Sequence, residues 1–191
     1  MDQRNRLNAH FEEAAQLLDT LRRDASFMDA VEGAGECMVK SIRAGGKIIS
    51  CGNGGSMSDA MHFAEELSGR YRDDRPGLPA IACSDPSHLT CVGNDYGFDR
   101  VFSRFVEALG KEGDCLVAIS TSGNSPNVLN AAKAARAMGI TVIGLTGRGG
   151  GQLRSICDAV VDVPWSGYAD RVQEVHIKVI HAWIDLIERA Q

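Results

Sequence analysis

The sequence predicts an α/β domain in which a parallel sheet is covered by helices on both faces. Two observations predict it. From residue 47 onward, short apolar segments alternate with helical ones, and the strand interiors are near-continuous apolar runs, as in strands buried on both faces. The size agrees: 191 residues, 44% apolar and 24% charged, are enough for a core without disulfides or metal and exclude a disordered or low-complexity chain.

Taken in order, Leu7, Phe11, Ala14, Leu18 and Leu21 recur at helical spacing, and so do Phe27, Val31, Ala34, Met38 and Ile42. Ser26 followed by Asp29 resembles a capping box at the start of the second helix, and Gly45-Gly46 would stop it. Residues 1–44 thus read as a helical extension of one domain spanning 1–191. Residues 47–51 form a strand, and Gly52-Asn53-Gly54-Gly55 turns it into a helix capped by Ser56 or Ser58 and running to about Gly69. A second strand covers 78–83, followed by helices over 86–92 and 99–109. The third strand, 115–120, enters the turn Thr121-Ser122-Gly123-Asn124-Ser125, and Pro126 suits the first turn of a helix over 127–138. Residues 140–145 are the fourth strand, then come a loop over 146–151, a short helix over 152–157 and a fifth strand over 159–163. A long helix spans about 169–190.

Composition narrows the function. A net charge of −5 offers no basic excess to grip a phosphodiester backbone. Apolar runs such as 116–119 are far too short for a bilayer, and the first residues lack the apolar stretch of a signal peptide. Six cysteines are scattered without a C-x-x-C pair, and Cys51, Cys83 and Cys115 fall in or beside apolar runs, where a free thiol behaves as a small hydrophobe. The expectation is a cytoplasmic protein that binds neither nucleic acid nor membrane.

Parallel sheets of this kind bind ligands beyond the carboxyl ends of their strands. Two loops sit there. Gly52-Asn53-Gly54-Gly55-Ser56 can turn backbone N–H groups toward an anion at a helix N-terminus. It is neither the dinucleotide fingerprint, whose third glycine would fall on Met57, nor a Walker loop, which would continue Gly-Lys-Ser/Thr. Ser120-Thr121-Ser122-Gly123-Asn124-Ser125 repeats the context with four hydroxyls and no lysine, which suits a monophosphate on a small molecule. Either loop alone could be a turn whose Gly, Ser and Asn supply caps and positive φ; two at one sheet edge favour the ligand.

His62 and Glu66 share a helix face at i,i+4, which by itself is equally an exposed pair. The last helix is apolar almost all round, yet it carries Gln173 and His181, eight residues apart and about 80° offset. Buried polar groups need partners, which core hydrogen bonds, a ligand or a metal could supply. His62, Glu66, Gln173 and His181 could together hold a divalent ion, although glutamine is an unusual zinc ligand. His176, nearer Glu174 and Asp170, reads as a structural decoy.

At these residues the chain resembles a known family. Cys51-Gly52-Asn53-Gly54-Gly55-Ser56, Asp59 to Leu67, Gly93-Asn94-Asp95, Ser120 to Ser125 and Gln173 to His181 are similar to the phosphoheptose isomerases of the sugar isomerase (SIS) domain superfamily, nearly end to end. The resemblance implies a flavodoxin-like three-layer sandwich with a five-stranded parallel sheet plus N-terminal helices, and a homotetramer with active sites at subunit interfaces. It implies conversion of sedoheptulose 7-phosphate to D-glycero-D-manno-heptose 7-phosphate, the first step toward activated heptoses of lipopolysaccharide core or other surface polysaccharides. Carried over by position, Ser56, Ser120, Thr121, Ser122 and Ser125 would bind phosphate. Asn53, Gly54, Gly55, Asn94, Asp95 and Gln173 would line the sugar, and Asp170 matches an acidic site residue. His62, Glu66, Gln173 and His181 match positions that hold one Zn2+ per subunit. Met57-Ser58 departs from some relatives without touching an assigned role.

Aldose–ketose isomerisation removes a proton from one carbon and returns one to its neighbour through an enediol. Glu66 is the natural carboxylate base and His181 the group that moves the second proton. The base and ligand roles compete at Glu66. Two rivals remain: a non-catalytic SIS-domain adaptor that binds the replication initiator, and an isomerase for another sugar phosphate. Retention of Glu66 and His181 argues against the adaptor.

Overall fold

Order in this molecule starts from strands with no polar face. The structure, a computed structural model, describes residues 2–191. Strands β1 (Ile48–Gly52), β3 (Cys115–Ser120) and most of β4 (Thr141–Gly147) are buried along their length. β2 (Ala80–Ala82) and β5 (Ala159–Val163) flank them in a five-stranded, wholly parallel sheet of order β2-β1-β3-β4-β5. Side chains alternate between faces as the pleat requires. Ile48, Cys115, Val117 and Ile119 enter one core, and Ile49, Cys51, Leu116 and Ala118 the other.

The first core is closed by α2 (Ala25–Arg43), α3 (Gly55–Ser68) and α7 (Ala169–Arg189), with α1 (Gln3–Arg23) outside them. The second is closed by α4 (Pro86–Tyr96), α5 (Val101–Leu109) and α6 (Pro126–Ala137). The expected α/β architecture is therefore present, with the flavodoxin-like strand order. Trp183 is fully buried on α7 and donates its indole N–H to the Val31 carbonyl at 2.8 Å, joining α7 to α2.

Several boundaries differ from expectation for local reasons. Asp24, not Ser26, caps α2: its carboxylate accepts from the Ser26 and Phe27 N–H groups at 2.9 and 3.3 Å, and Asp29 closes no box. Gly54, at φ 57°, sits at the α3 cap, so neither Ser56 nor Ser58 caps that helix. α4 runs through Gly93 to Tyr96 because Asp85 caps its start and only Gly97, at φ 86°, stops it. The turn after β4 is a 3-10 helix, Gly151–Ser155. The predicted α1 stripe turns outward at its N-terminal end: Leu7 and Phe11 are 57% and 77% exposed, whereas Leu21 at the other end is buried in the core with Leu17.

His176 lies wholly in the core, where its partner is not Glu174 or Asp170. Its Nε2 meets the Thr146 carbonyl at 2.9 Å. Burial pushes the imidazole down to about 4, against 6.5 for the free side chain. Its contribution to stability is complete above pH 6.5 and is lost as pH falls through about 4, on the order of 3 kcal/mol in all. His176→Gln should therefore flatten the pH dependence of the urea midpoint over that window; an unchanged slope would count against the assignment.

Candidate active site

The β1 and β3 strands are neighbours whose following helices leave to opposite faces of the sheet, and the site is built at that divergence. A Cβ on Gly52 would lie 2.7 Å from the Ser56 Cβ, so glycine is what lets β1 turn straight into α3. Gly54 has no side chain to cap α3, and Ser125, the cap residue of α6, makes no capping bond. Two helix N-termini thus face the same sheet edge without side-chain caps, each favouring an anion.

Beside them the hydroxyls gather. Ser120 Oγ lies 3.0 Å from Ser125 Oγ and 3.5 Å from Ser122 Oγ, and the Ser122 hydroxyl accepts from the Asn124 N–H at 3.2 Å. Ser56 and Ser120 are buried, and Thr121 is half-buried. The loop after β4 supports this turn: the Leu153 N–H bonds the Gly123 carbonyl at 3.0 Å and the Gln152 N–H bonds Asn124 Oδ1 at 3.1 Å. Ser122→Ala should raise KM for a phosphorylated substrate about tenfold with a smaller change in kcat, as expected for one lost bond to a charged group. An unchanged KM would detach this turn from phosphate.

Lower on α3, His62 and Glu66 meet α7. His62 Nε2 is 3.0 Å from His181 Nε2 and 3.5 Å from Glu66 Oε1, while its Nδ1 is 3.1 Å from Glu65 Oε1. Glu66 is 17% exposed and Glu65 is in solvent. Burial, and then the neighbouring His62, lower the pKa of His181, so the neutral imidazole is favoured there. The Tyr71 ring stacks on His181 at 5.7 Å. Arg75 holds the end of α3: it donates to the carbonyls of Glu66 and Leu67, each at 2.8 Å, and pairs with Glu188 of α7 at 2.8 Å, both residues being half-buried.

Of the sequence-predicted ligands, His62, Glu66 and His181 converge. His62, Glu65 and Glu66 offer ligand atoms within 4.8 Å of one another, a donor set of nitrogen and oxygen suited to zinc. Gln173 stands beside the β1 loop, its amide so close to Gly55 that a Cβ there would lie 2.6 Å from Nε2. Gly54 and Gly55 are exposed at the same loop. Asn94 and Asp95 lie elsewhere, on the exposed end of α4, where Asn94 Nδ2 bonds Asp95 Oδ1 at 2.8 Å. Asp170 is exposed in the first turn of α7, beside buried Arg171.

Sequence reasoning missed Glu65, Tyr71, Arg75 and Asn127. Glu65 carried a signal, being i+3 from His62. Tyr71 and Arg75 lie in an irregular segment, and Asn127 bonds across 74 residues to Asn53, so no periodicity marks them.

Comparison with known proteins decides the family. The SIS domain model matches residues 9–147. A phosphoheptose isomerase of Yersinia pestis is 57% identical over 183 residues, covering 96% of this chain and 95% of its own length. The chain belongs to the phosphoheptose isomerase family of SIS-domain proteins. A second member, from Enterobacter, is 58% identical over 186 residues, covering 97% of this chain and 95% of its own. The structure of the Neisseria gonorrhoeae phosphoheptose isomerase superposes with a TM-score of 0.92 at 43% identity, covering 98% of this chain and all of that one. That from Francisella tularensis gives 0.93 at 37%, covering 99% of this chain and all of its own.

Proposed function

We propose that this chain isomerises sedoheptulose 7-phosphate to D-glycero-D-manno-heptose 7-phosphate, the first step toward activated heptoses. The observation that carries the reading is the meeting of Glu66 with the His62–His181 pair on the helix that starts at the anion-ready β1 loop. Family membership supplies the substrate.

The hydroxyls of Ser120, Ser122 and Ser125 and the α6 N-terminus hold the phosphate, and Asn53, Gly54, Gly55 and Gln173 line the sugar. Glu66 takes a proton from C1 of the open-chain ketose; C1=C2 forms as O2 gains a proton, giving the enediol. O1 then loses its proton, C1=O forms, and C2 is protonated. His181, favoured as a neutral imidazole, can accept a proton from one oxygen and deliver it to the other. His62, Glu66 and His181, joined by Gln173, would hold zinc. Such an ion supplies Lewis-acid stabilisation of negative charge on the substrate oxygens.

The active assembly in this reading is a homotetramer. The outward Leu7 and Phe11, together with an apolar groove of about 280 Å3 lined by Leu18, Phe27, Met28, Val31 and Val179, support burial by further copies. Asn94, Asp95 and Asp170, exposed in the single chain, would join a site completed across an interface. Cytoplasmic placement belongs to the same proposal: all six cysteines are free, and no described helix is long and apolar enough to cross a membrane.

Proton NMR of sedoheptulose 7-phosphate with metal-stripped protein, then with zinc restored, tests the reading. Aldoheptose anomeric signals establish the isomerase, and their dependence on zinc decides the metal. Silence in both samples with the sugar phosphate still bound would favour a non-catalytic adaptor.

A further inference from the structure

The geometry points to Asn127 as a positioning residue that fixes which face of the Asn53 amide is offered to the sugar. This rests on the isomerase reading, in which Asn53 lines the substrate. α3 and α6 diverge from β1 and β3 to opposite faces of the sheet, so the two loops that would share one ligand are drawn apart at the site itself. One side-chain pair spans the gap. Asn53 Nδ2 donates to Asn127 Oδ1 at 2.9 Å, and Asn127 Nδ2 donates to Asn53 Oδ1 at 2.8 Å.

The pair has a direction set from below. The backbone N–H of Val128 donates to Asn127 Oδ1 at 3.0 Å, which assigns that atom as the carbonyl oxygen and fixes the amide's orientation. Asn127 is 2% exposed, with no room or solvent to trade those bonds away. With Asn127 fixed, only one orientation of Asn53 satisfies both reciprocal bonds. Asn53, half-buried, keeps one N–H and one oxygen lone pair unused by the pair, and these are what it can present to a sugar hydroxyl. Asn127 thus acts through Asn53 without touching substrate, and it also sits in the first turn of the helix whose N-terminus faces the phosphate.

The test compares Asn127→Ala and the similarly sized but apolar Asn127→Leu with Asn53→Ala and with the Asn53→Ala/Asn127→Ala double variant. Affinities for sedoheptulose 7-phosphate and for inorganic phosphate are read by calorimetry, with KM and kcat alongside. Both Asn127 variants are expected to weaken the sugar phosphate about tenfold, with inorganic phosphate changed less than twofold. In the Asn53→Ala background, Asn127→Ala should add less than twofold. A space-filling role predicts that leucine restores wild-type affinity, and that result overturns the proposal. So do full additivity of the two alanine variants, an equal loss of inorganic phosphate, or failure of both Asn127 variants to fold. A wild-type protein that binds sedoheptulose 7-phosphate without isomerising it would overturn the proposed function, while the affinities would still decide the role of Asn127.

Discussion

Glu66→Gln is expected to lower kcat at least a hundredfold, the scale of a lost general base, while the protein still folds and binds sugar phosphate. The substitution keeps the side chain's length and much of its hydrogen-bonding capacity and removes its negative charge, and with that both the proton acceptor and an anionic ligand for zinc, so the zinc content of the variant is measured beside its rate. Arg75 holds this residue through its backbone carbonyl, so the helix end is anchored independently of the side chain. Stopped or slow conversion followed by NMR, with phosphate-ester affinity measured in parallel, separates chemistry from binding. A variant that retains a tenth of the wild-type rate would remove Glu66 from the role of base.

Gly123→Ala is the second large effect. Gly123 sits at φ 63°, where an L side chain is strained, and its added Cβ would run into the backbone carbonyl of Gly150. Strain of this kind costs about 1 kcal/mol or more and overpacking against backbone another 1–3 kcal/mol. The β4 loop cannot yield without breaking the Leu153–Gly123 and Gln152–Asn124 bonds that shape the hydroxyl turn. We expect a loss of about 3 kcal/mol in stability together with a KM raised well beyond that of Ser122→Ala. Gly149→Ala is the control, since Gly149 has φ 89° but nothing within 4 Å of its Cβ position; it should cost only about 1 kcal/mol. Equal effects at the two glycines would mean that the close approach carries no weight.

The contrast between those two glycines shows where sequence reading ends. Both are glycines in glycine-rich loops, and only the fold reveals which one another strand's loop presses against. The sheet was legible because β1, β3 and β4 are near-continuous apolar runs, whose length and flanking glycines leave little choice of structure. The α1 stripe was legible as a helix but not as an outward face, since periodicity reports that a face is apolar and not what covers it. At the site, His62 and Glu66 announce themselves by spacing along one helix. His181 could be named from the sequence, but its 3.0 Å approach to His62, 119 residues away, depends on how α3 and α7 lie together. Asn127 and Arg75 likewise depend on partners far along the chain, Asn53 at 74 residues and Glu188 at 113.

Arg75 has a consequence for motion. One half-buried guanidinium holds the carbonyls that close α3 and, through Glu188, the last turn of α7. Helix ends ordinarily fray first and exchange their amide hydrogens fastest. Here the two ends are stitched at one point, so fraying of α7 would strip a half-buried cation of its carboxylate, and fraying of α3 would strip it of its carbonyls. Amides in the last turns of both helices should therefore exchange with solvent together, as one opening unit whose protection exceeds that of the free end of α1.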